Sequence, residues 1–349
     1  MKPKERVIAV LKRAKSDKVP VLVRSMANKI QYQYAAQYEI DEEDQVFYWR
    51  DVSPLIAMGI DAFDFSLPIK KPSSTQIKGL MDGESIDAYG RISRNGSYSR
   101  GYFENKDIFE SFPPINVVDA DDPKHFKKLI DGCGKKIALF CSLRGFFELT
   151  WEGMGLVNFS RAQRKDTSFI DAVCSRIFDF TRQQLQNCLD AGLKLFSITD
   201  DMGFKAGLMV QHDFLKNHFI DHYKELTSMI HDNDGLVYLH SEGNVTEAIP
   251  SIIEAGFDGL QALTPMDGVD LAAINEIYGE KISWLGTMAH SPMLDMWPQE
   301  RIRNHVKKQF KNGGDNGGLM LGPSAMIDEG CKLESVLTMI DEIHKCAYE

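Results

Sequence analysis

The stretch FIDAVCSRIFDFTRQQLQNCLDAGLKLFSITD, residues 169–200, gives the clearest indication of the fold. Apolar residues recur through its first part at close to the 3.6-residue period of a helix, at Ile170, Val173, Ile177, Phe180, Leu185 and Leu189. Gly192 ends this predicted helix, and the apolar run LKLFSITD follows directly and predicts a buried strand. A helix that enters the next strand through so short a loop is typical of proteins with parallel strands and covering helices.

The same alternation extends over most of the sequence. Seven further apolar runs predict strands, namely VPVLV (19–23), DAFDFSL (61–67), KIALFCSL (136–143), LVYLHSEG (236–243), DGLQALTP (258–265), KISWLGTM (281–288) and GGLMLGP (317–323). Eight strands, most of them separated by helical segments, favour an α/β fold of the closed (β/α)8 type, the TIM barrel, over an open doubly wound sheet. The dinucleotide-binding form of the open sheet also requires a G-x-G-x-x-G signature, which does not follow the first strand.

One segment departs from this alternation. Between the second and third predicted strands, residues 73–112 alternate polar and apolar side chains around Asp82-Gly83 and Asn95-Gly96, two dipeptides typical of hairpin turns. We therefore expect a β-hairpin insertion at the face where the loops of such barrels carry function. Because no linker or internal repeat divides the sequence, residues 1–349 are predicted to form a single barrel domain.

The composition excludes several classes of partner. Lysine and arginine number 40 and aspartate and glutamate 50, a formal net charge of −10, so the surface should repel nucleic acid and anionic lipid. No run approaches the roughly 18 apolar residues of a membrane-spanning helix, and the first residues do not resemble a secretory signal. Six scattered cysteines without a C-x-x-C pair indicate reduced thiols. These features predict a cytoplasmic protein.

Polar side chains follow the predicted strands where a parallel barrel places its reacting groups, at the carboxyl ends. They are Arg24, Arg144, Glu148, Asp200, Asp201, His240, Glu242, His290 and Ser324. His240 and Glu242 alternate at one strand end and can point the same way, and imidazole and carboxylate groups both bind zinc. The alternative is a histidine that only hydrogen bonds to a neighbouring carboxylate.

Two further pairs admit more than one interpretation. Asp200 and Asp201 are adjacent, so one should face the barrel interior and the other the helix layer; one is a catalytic candidate, while the other can cap backbone N–H groups. Arg144 can clamp a substrate carboxylate and Glu148 can bind a metal or carry a proton, or the two can form a salt bridge.

Several aromatic and sulfur-containing side chains are candidates for binding substrate. Tyr34 and Tyr38 are four residues apart and would share one helix face, which suits either a flat substrate or core packing. Met202 and Met288 follow predicted strands, where methionine lines pockets or fills gaps in the core.

Four segments, in order, resemble the uroporphyrinogen decarboxylase superfamily, and especially its corrinoid-dependent methyltransferase branch. They are ITDDMG (198–203), HSEGNVTEAIPSIIEAGFDGLQAL (240–263), ISWLGTM (282–288) and GGLMLGPSAMIDEG (317–330). The resemblance covers most of the chain. It implies a (β/α)8 barrel with its pocket at the carboxyl ends of the strands, in agreement with the pattern of strands and helices.

The sequence also departs from the family at informative positions. The decarboxylases carry an arginine-rich signature after the first strand, but VRSMANKIQYQY (23–34) retains only Arg24, which argues against a tetra-acid substrate. The methyltransferases hold zinc with a histidine and two cysteines, whereas Glu242 and Ala325 stand at the cysteine positions here. The resemblance therefore implies either zinc on His240, Glu242 and a third ligand such as His290 or Glu148, or no metal.

The resemblance implies a methyltransferase that passes a methyl group to the cobalt of a corrinoid. A methoxylated aromatic compound is the expected methyl donor, and the corrinoid should be carried by a separate protein, because no D-x-H-x-x-G cobalamin-binding signature occurs here. In this interpretation Asp201, His240 and Glu148 are catalytic, and the residues expected to bind substrate are Arg24, Tyr34, Tyr38, Arg144, Met202 and Met288.

Two other functions remain open from the sequence. A metal-free decarboxylase of a small or tetrapyrrole acid would use Arg24 and Arg144 as carboxylate clamps. A protein that binds an aromatic ligand without turnover is the second alternative. The family resemblance also suggests a homodimer.

Overall fold

Eight parallel strands form the central sheet. A computed structural model describes residues 1–38, 52–67, 69, 72, 77–116, 122–290, 292–314 and 317–348. In the order in which they neighbour one another, the strands are β1 (Leu22–Val23), β2 (Ala62–Ser66), β3 (Ala138–Arg144), β4 (Leu195–Thr199), β5 (Leu236–His240), β6 (Gly259–Gln261), β7 (Ser283–Leu285) and β8 (Leu319–Met320).

The sheet closes on itself between its first and last strands. Val21 and Leu321 form a parallel bridge, and the backbone N–H of Leu22 donates to the carbonyl of Leu321 at 2.8 Å. The predicted (β/α)8 TIM barrel is therefore confirmed. Each strand is shorter than its predicted run and lies within it, except that β3 extends one residue beyond its run, to Arg144.

Helices surround this barrel. They are α1 (Pro3–Leu11), α2 (Asn28–Gln37), α3 (Ser53–Ala57), α4 (Lys106–Ser111), α5 (Pro123–Cys133), α6 (Phe147–Met154), α7 (Leu156–Lys165), α8 (Thr167–Asp190), α9 (His212–Leu215), α10 (Asp221–His231), α11 (Ile249–Glu254), α12 (Leu271–Tyr278), α13 (Met293–Met296), α14 (Gln299–Gly313) and α15 (Leu333–His344). A π-helical turn at Lys216–Ile220 joins α9 to α10, and 3₁₀ turns occupy Thr246–Ala248 and Pro265–Asp267.

The long helix α8 confirms the helix predicted in residues 169–200. Its apolar positions, from Ile170 to Leu189, are buried against the barrel. Gly192 follows the helix with φ of +83°, a conformation that glycine adopts without steric cost. Because only two residues separate Gly192 from β4, the strand runs parallel to β3 and presents its carboxyl end at the same edge.

The helix α1 closes the amino end of the barrel. Val7, Val10 and Leu11 are fully buried, and they form one apolar cluster with interior side chains from seven of the eight strands, among them Phe140 of β3. Asp61, just before β2, accepts hydrogen bonds from the buried guanidinium of Arg6 and from the backbone N–H of Val21. Apolar contact and a paired buried charge together hold α1 in place.

The insertion between β2 and β3 is a three-stranded antiparallel sheet, with strands at Glu84–Ile86, Arg91–Arg94 and Ser97–Gly101. Asn95 and Gly96 join the last two strands and both have positive φ, as a two-residue type I′ turn requires. Asp82-Gly83 differs from the prediction, because it leads into the first strand. The first two strands are joined through residues 87–90, where Asp87 accepts the N–H groups of Tyr89 and Arg91. Residues 73–76 of the predicted insertion lie outside the described residues.

The insertion packs on α6. The side chain of Arg91 pairs with Glu152, and the hydroxyl of Tyr98 donates to the carbonyl of Glu152 at 3.0 Å. The backbone N–H of Phe103 donates to the carbonyl of Gly153 at 2.8 Å. Because α6 directly follows β3, this contact places the insertion beside the carboxyl end of the barrel.

Two expectations from composition concern the cysteines and the membrane. All six cysteines are buried and unpaired, as the sequence predicts. Within the described residues, no helix combines the length and the apolar character needed to cross a membrane.

Truncating Leu11 tests the role of α1. Leu11→Ala should lower the free energy of unfolding by about 3 kcal/mol, because it leaves a cavity among residues that cannot collapse around it. Lys12→Ala, at the exposed neighbouring position, is the control and should change it by less than about 0.5 kcal/mol. Denaturant titration followed by circular dichroism measures both, and equal effects would contradict the assigned role of α1.

Candidate active site

A cavity of about 440 Å³ opens at the carboxyl end of the barrel. Five carboxylates line it, from Glu148, Glu152, Asp201, Glu242 and Asp267. Lys205 and His290 are the basic side chains among the described lining residues. Trp151, Phe204, Met209 and Met266 supply large apolar surfaces. The predicted location of the site therefore holds a pocket that is both acidic and partly aromatic.

Asp200 is fully buried behind this cavity and organises its wall. Its carboxylate accepts the backbone N–H groups of Phe146, Phe147 and Glu148 at 2.7, 2.9 and 2.6 Å, and the hydroxyl of Tyr223 at 2.5 Å. It thus caps α6 from a neighbouring strand, at the helix end where negative charge is favoured. Gly145 allows this approach, since a Cβ there would lie 2.0 Å from the Asp200 carboxylate.

Asp201 turns the other way and lines the cavity. Its Oδ1 accepts the backbone N–H of Glu242 at 2.8 Å and lies 3.6 Å from Nε2 of His240. The adjacent aspartates therefore divide as the sequence predicts, one facing the helix layer and the other the pocket. Burial raises the pKa of Glu242 to about 7, and the charge of Asp201 acts in the same direction.

His240 ends β5 and is buried. Burial lowers its pKa well below the ordinary value, and the positive charge of Arg24 lowers it further, so the imidazole is neutral. Its Nδ1 hydrogen bonds with the side-chain oxygen of Gln261, its neighbour in the strand register. Sequence reasoning missed Gln261, although a glutamine at the end of an apolar strand is a signal of a buried polar contact.

Glu148 and Arg144 form the salt bridge that was one of the two interpretations. Arg144, at the end of β3, donates a hydrogen bond of 2.8 Å to Glu148 in the first turn of α6. Burial raises the pKa of Glu148 to about 8, against the opposing charge of Arg144. Glu148 is therefore a buried acid that holds its proton at neutral pH beside the cavity.

A polar network lies inside the barrel around Arg24. The guanidinium is 3.4 Å from the carboxylate of Asp64 and donates to the hydroxyl of Thr199 at 2.9 Å. Asp64 also accepts hydrogen bonds from Tyr238 at 2.6 Å and from Ser197 at 2.9 Å. The sequence signal for this network was the charge at position 64 in the middle of the run DAFDFSL. Arg24 is thus already paired within the protein.

The remaining predicted substrate residues do not appear among the lining residues of the cavity. Tyr34 is buried, and its hydroxyl donates to the carbonyl of Ala57 at 3.0 Å, while its ring stacks on exposed Tyr38. Met202 and Met288 are also buried. Tyr34, Met202 and Met288 therefore pack in the core, and a direct role in substrate binding stays a prediction for them and for Tyr38.

The predicted zinc ligands are brought to the same end of the barrel but not into one cluster. Glu242 and His290 line the cavity, and His290 Nδ1 lies 3.2 Å from the hydroxyl of Ser324. Where the structure describes the chain, Asp295, Asp328 and Cys331 are the group of three such residues with ligand atoms within 4.8 Å of one another. Zinc binding by His240, Glu242 and His290 therefore stays a prediction, and no step proposed below depends on it.

Comparison with known proteins agrees with this architecture. The sequence profile of the uroporphyrinogen decarboxylase (URO-D) family matches residues 126–346, more than half of the chain. The chain therefore belongs to the uroporphyrinogen decarboxylase family. A search of curated protein sequences found no significant match.

Two solved structures share this fold. A methyltransferase from Methanosarcina mazei is 16% identical with a TM-score of 0.69, and the match covers 99% of both chains. A B12-independent methionine synthase from Shewanella sp. W3-18-1 is 10% identical with a TM-score of 0.51, covering 93% of this chain and 96% of that chain. At these identities the likeness shows the shared fold.

The division of labour between the two aspartates can be tested directly. Asp200→Asn should lower the free energy of unfolding by about 3 kcal/mol, because an amide cannot accept from all four of the donors around it. Asp201→Asn is the matched control: its oxygen can still accept from Glu242, and stability should change by less than about 0.5 kcal/mol. Thermal and denaturant unfolding of both variants distinguish the roles, and the reverse order of stability would contradict them.

Proposed function

We propose that this protein is a methyltransferase that moves a methyl group from a methoxylated aromatic donor to the cobalt of a corrinoid carried by a partner protein. The observation that carries the proposal is the cavity itself, in which the buried acid Glu148 faces a pocket with aromatic and methionine walls. Membership of the uroporphyrinogen decarboxylase family supports the proposal that the protein is an enzyme.

The charge of the cavity disfavours the alternative of a decarboxylase for a polycarboxylic acid. Besides Glu148, which holds its proton, and Glu152, which pairs with Arg91, the pocket is lined by Asp201, Glu242 and Asp267, and the charge of these carboxylates would repel an anionic substrate. The two arginines that could clamp substrate carboxylates are engaged, Arg24 by Asp64 and Arg144 by Glu148. A donor without negative charge fits this pocket better.

The apolar surfaces of the pocket suit a flat ring. Trp151 and Met209 lie in the wall, and Phe204 and Met266 are 53% and 46% exposed at the opening. Aromatic rings and polarisable sulfur both pack favourably against an aromatic ligand. Met296 and Met326, which follow β7 and β8, are exposed as well and would give a partner protein apolar surface at this end of the barrel.

The proposed reaction breaks the bond between the methyl carbon and the ether oxygen. The corrinoid, as the second substrate, supplies a cobalt(I) electron pair that forms the new bond to carbon. The leaving oxygen keeps the electrons of the broken bond, and Glu148 donates its proton to that oxygen, so the product leaves as a phenol. Glu148 then regains a proton from water. Asp201 would orient the donor from the pocket wall, with the buried His240 beside it.

Methyl transfer should depend on Glu148 and on pH. With methoxylated aromatics and reduced cobalamin as acceptor, Glu148→Gln should lower kcat about 100-fold, because it removes the proton donor. Wild-type kcat should fall as the pH rises through about 8, where Glu148 loses its proton, and this fall should be absent in the variant. Glu276→Gln, an exposed site on α12, is the control and should behave as wild type.

The same preparation tests the competing functions. Loss of carboxyl groups from uroporphyrinogen, with no methyl transfer from any donor, would replace the proposal by the decarboxylase. Tight binding of an aromatic ligand with neither activity would favour a binding protein.

Metal content tests the predicted zinc site. Inductively coupled plasma mass spectrometry of untagged protein should find about one zinc per chain, lost in both His240→Ala and Glu242→Ala. Asp295→Ala, in the separate Asp295–Asp328–Cys331 group, is the control and should keep the metal. Folded wild type without zinc would overturn the zinc prediction, as would zinc that is lost only in Asp295→Ala.

A further inference from the structure

We infer that Gln261 is a positioning residue that keeps Nε2 of His240 without a hydrogen and turned toward Asp201. The inference concerns the tautomer of one imidazole and does not depend on which methyl donor, if any, the protein uses. It rests on the hydrogen bonds around a buried amide.

The first step is the orientation of the Gln261 amide. Gln261 is fully buried, and its Nε2 donates to the carbonyl oxygens of Ser324 at 3.0 Å and Pro323 at 3.4 Å. A carbonyl oxygen can only accept, so the amide nitrogen must face these two groups. The amide oxygen must then face the other way, toward Nδ1 of His240.

The second step is the position of the imidazole hydrogen. Because the amide oxygen of Gln261 can only accept, Nδ1 of His240 must be the donor and must carry the hydrogen. In a neutral ring Nε2 then has a lone pair. This nitrogen lies 3.6 Å from Oδ1 of Asp201, which lines the cavity.

The third step is what this arrangement can bind. A lone pair and a carboxylate oxygen repel each other unless a group with positive character lies between or beside them. The pair is therefore built to receive a hydrogen-bond donor or a cation from the cavity, and His240 acts there as an acceptor. Without Gln261, the favoured tautomer would place the hydrogen on Nε2, where it could point at Asp201 and close the pair to a ligand.

The backbone around Gln261 is shaped to hold the amide in place. Gly286 on the adjacent strand end has φ of +53°, and a Cβ there would lie 2.3 Å from Nε2 of Gln261. Ala262, the next residue after Gln261, has φ of +85°, which is rare for a residue with a side chain. Backbone strain of this kind persists where the surrounding structure requires a particular geometry.

The tautomer can be read without any assay of activity. Protein labelled with ¹⁵N-histidine contains nine imidazoles, and His240 is assigned by the signals that disappear in His240→Gln. In a long-range ¹H–¹⁵N correlation spectrum at pH 7, wild type should show Nδ1 protonated and Nε2 unprotonated. The opposite pattern in wild type would overturn the inference outright, whatever the variants do.

Two variants of Gln261 then test the cause. Gln261→Met removes the acceptor and should reverse the tautomer, whereas Gln261→Glu, in which a protonated carboxyl oxygen donates to the carbonyl of Ser324, retains an acceptor for Nδ1 and should preserve it. Gln309→Met, which changes a fully buried glutamine on α14, is the matched control and should leave the His240 signals unchanged. A Gln261→Met protein that folds and keeps the wild-type tautomer would show that Gln261 does not set it.

Activity provides a second readout once a donor is known. Gln261→Met should lower kcat at least about tenfold with a smaller change in KM, the size of effect seen when the outer partner of a functional histidine is lost. If no donor is turned over by wild type, the proposed methyl transfer fails while the tautomer result stands. If Nε2 is protonated in active wild type, the inference about Gln261 fails alone.

Discussion

The carboxylate of Asp200 is the interaction on which the candidate site depends. It joins the end of β4 to the first turn of α6 and to Tyr223 on α10, and it does so with hydrogen bonds to three consecutive backbone N–H groups. Glu148 lies in that first turn, so the buried acid is fixed by a neighbouring strand as well as by its own helix. The insertion contacts the same helix one turn further on, through an ion pair with Glu152 and a backbone hydrogen bond to Gly153. A disturbance of either contact would move the acid relative to the cavity.

Charge pairing explains why the pocket is acidic although arginines surround it. Arg24 and Arg91 are paired with the carboxylates of Asp64 and Glu152, and Arg144 donates a hydrogen bond to Glu148. The carboxylates that remain, those of Asp201, Glu242 and Asp267, meet in the cavity, and burial raises the pKa of both Glu242 and Asp267. A neutral ligand can therefore enter this pocket without the free-energy cost of taking a charge of its own out of water.

The fold could be read from the sequence because barrel strands leave a strong local signal. Each strand of the barrel is buried on both faces, so its apolar run is nearly continuous, and glycines such as Gly192 and Gly256 mark the helix ends before it. The site was harder to read. Asp200 and Asp201 are adjacent residues of the same type, so the sequence does not show which one caps α6. Only the tertiary contacts show that Asp200 caps the helix and that Asp201 lies in the pocket. Gln261, Asp64 and Tyr238 were missed because their partners lie 21 to 174 residues away in the chain. Tyr34 illustrates the converse, since helical spacing places a ring on a face without saying whether that face meets a ligand or the core.

The closure of the barrel by α1 has a consequence for how the chain folds. Arg13, just after α1, donates to the carbonyl of Lys281, Ser283 donates to the carbonyl of Val10, and Val19 donates to the carbonyl of Cys346. The helix α1 therefore cannot complete its contacts until the segment around Lys281 and Ser283 has been synthesised. Contacts so distant in sequence slow folding, because long loops must close before the contacts form. During synthesis the apolar side of α1 stays exposed to solvent until then. It is a short hydrophobic segment of the kind that chaperones shield from aggregation.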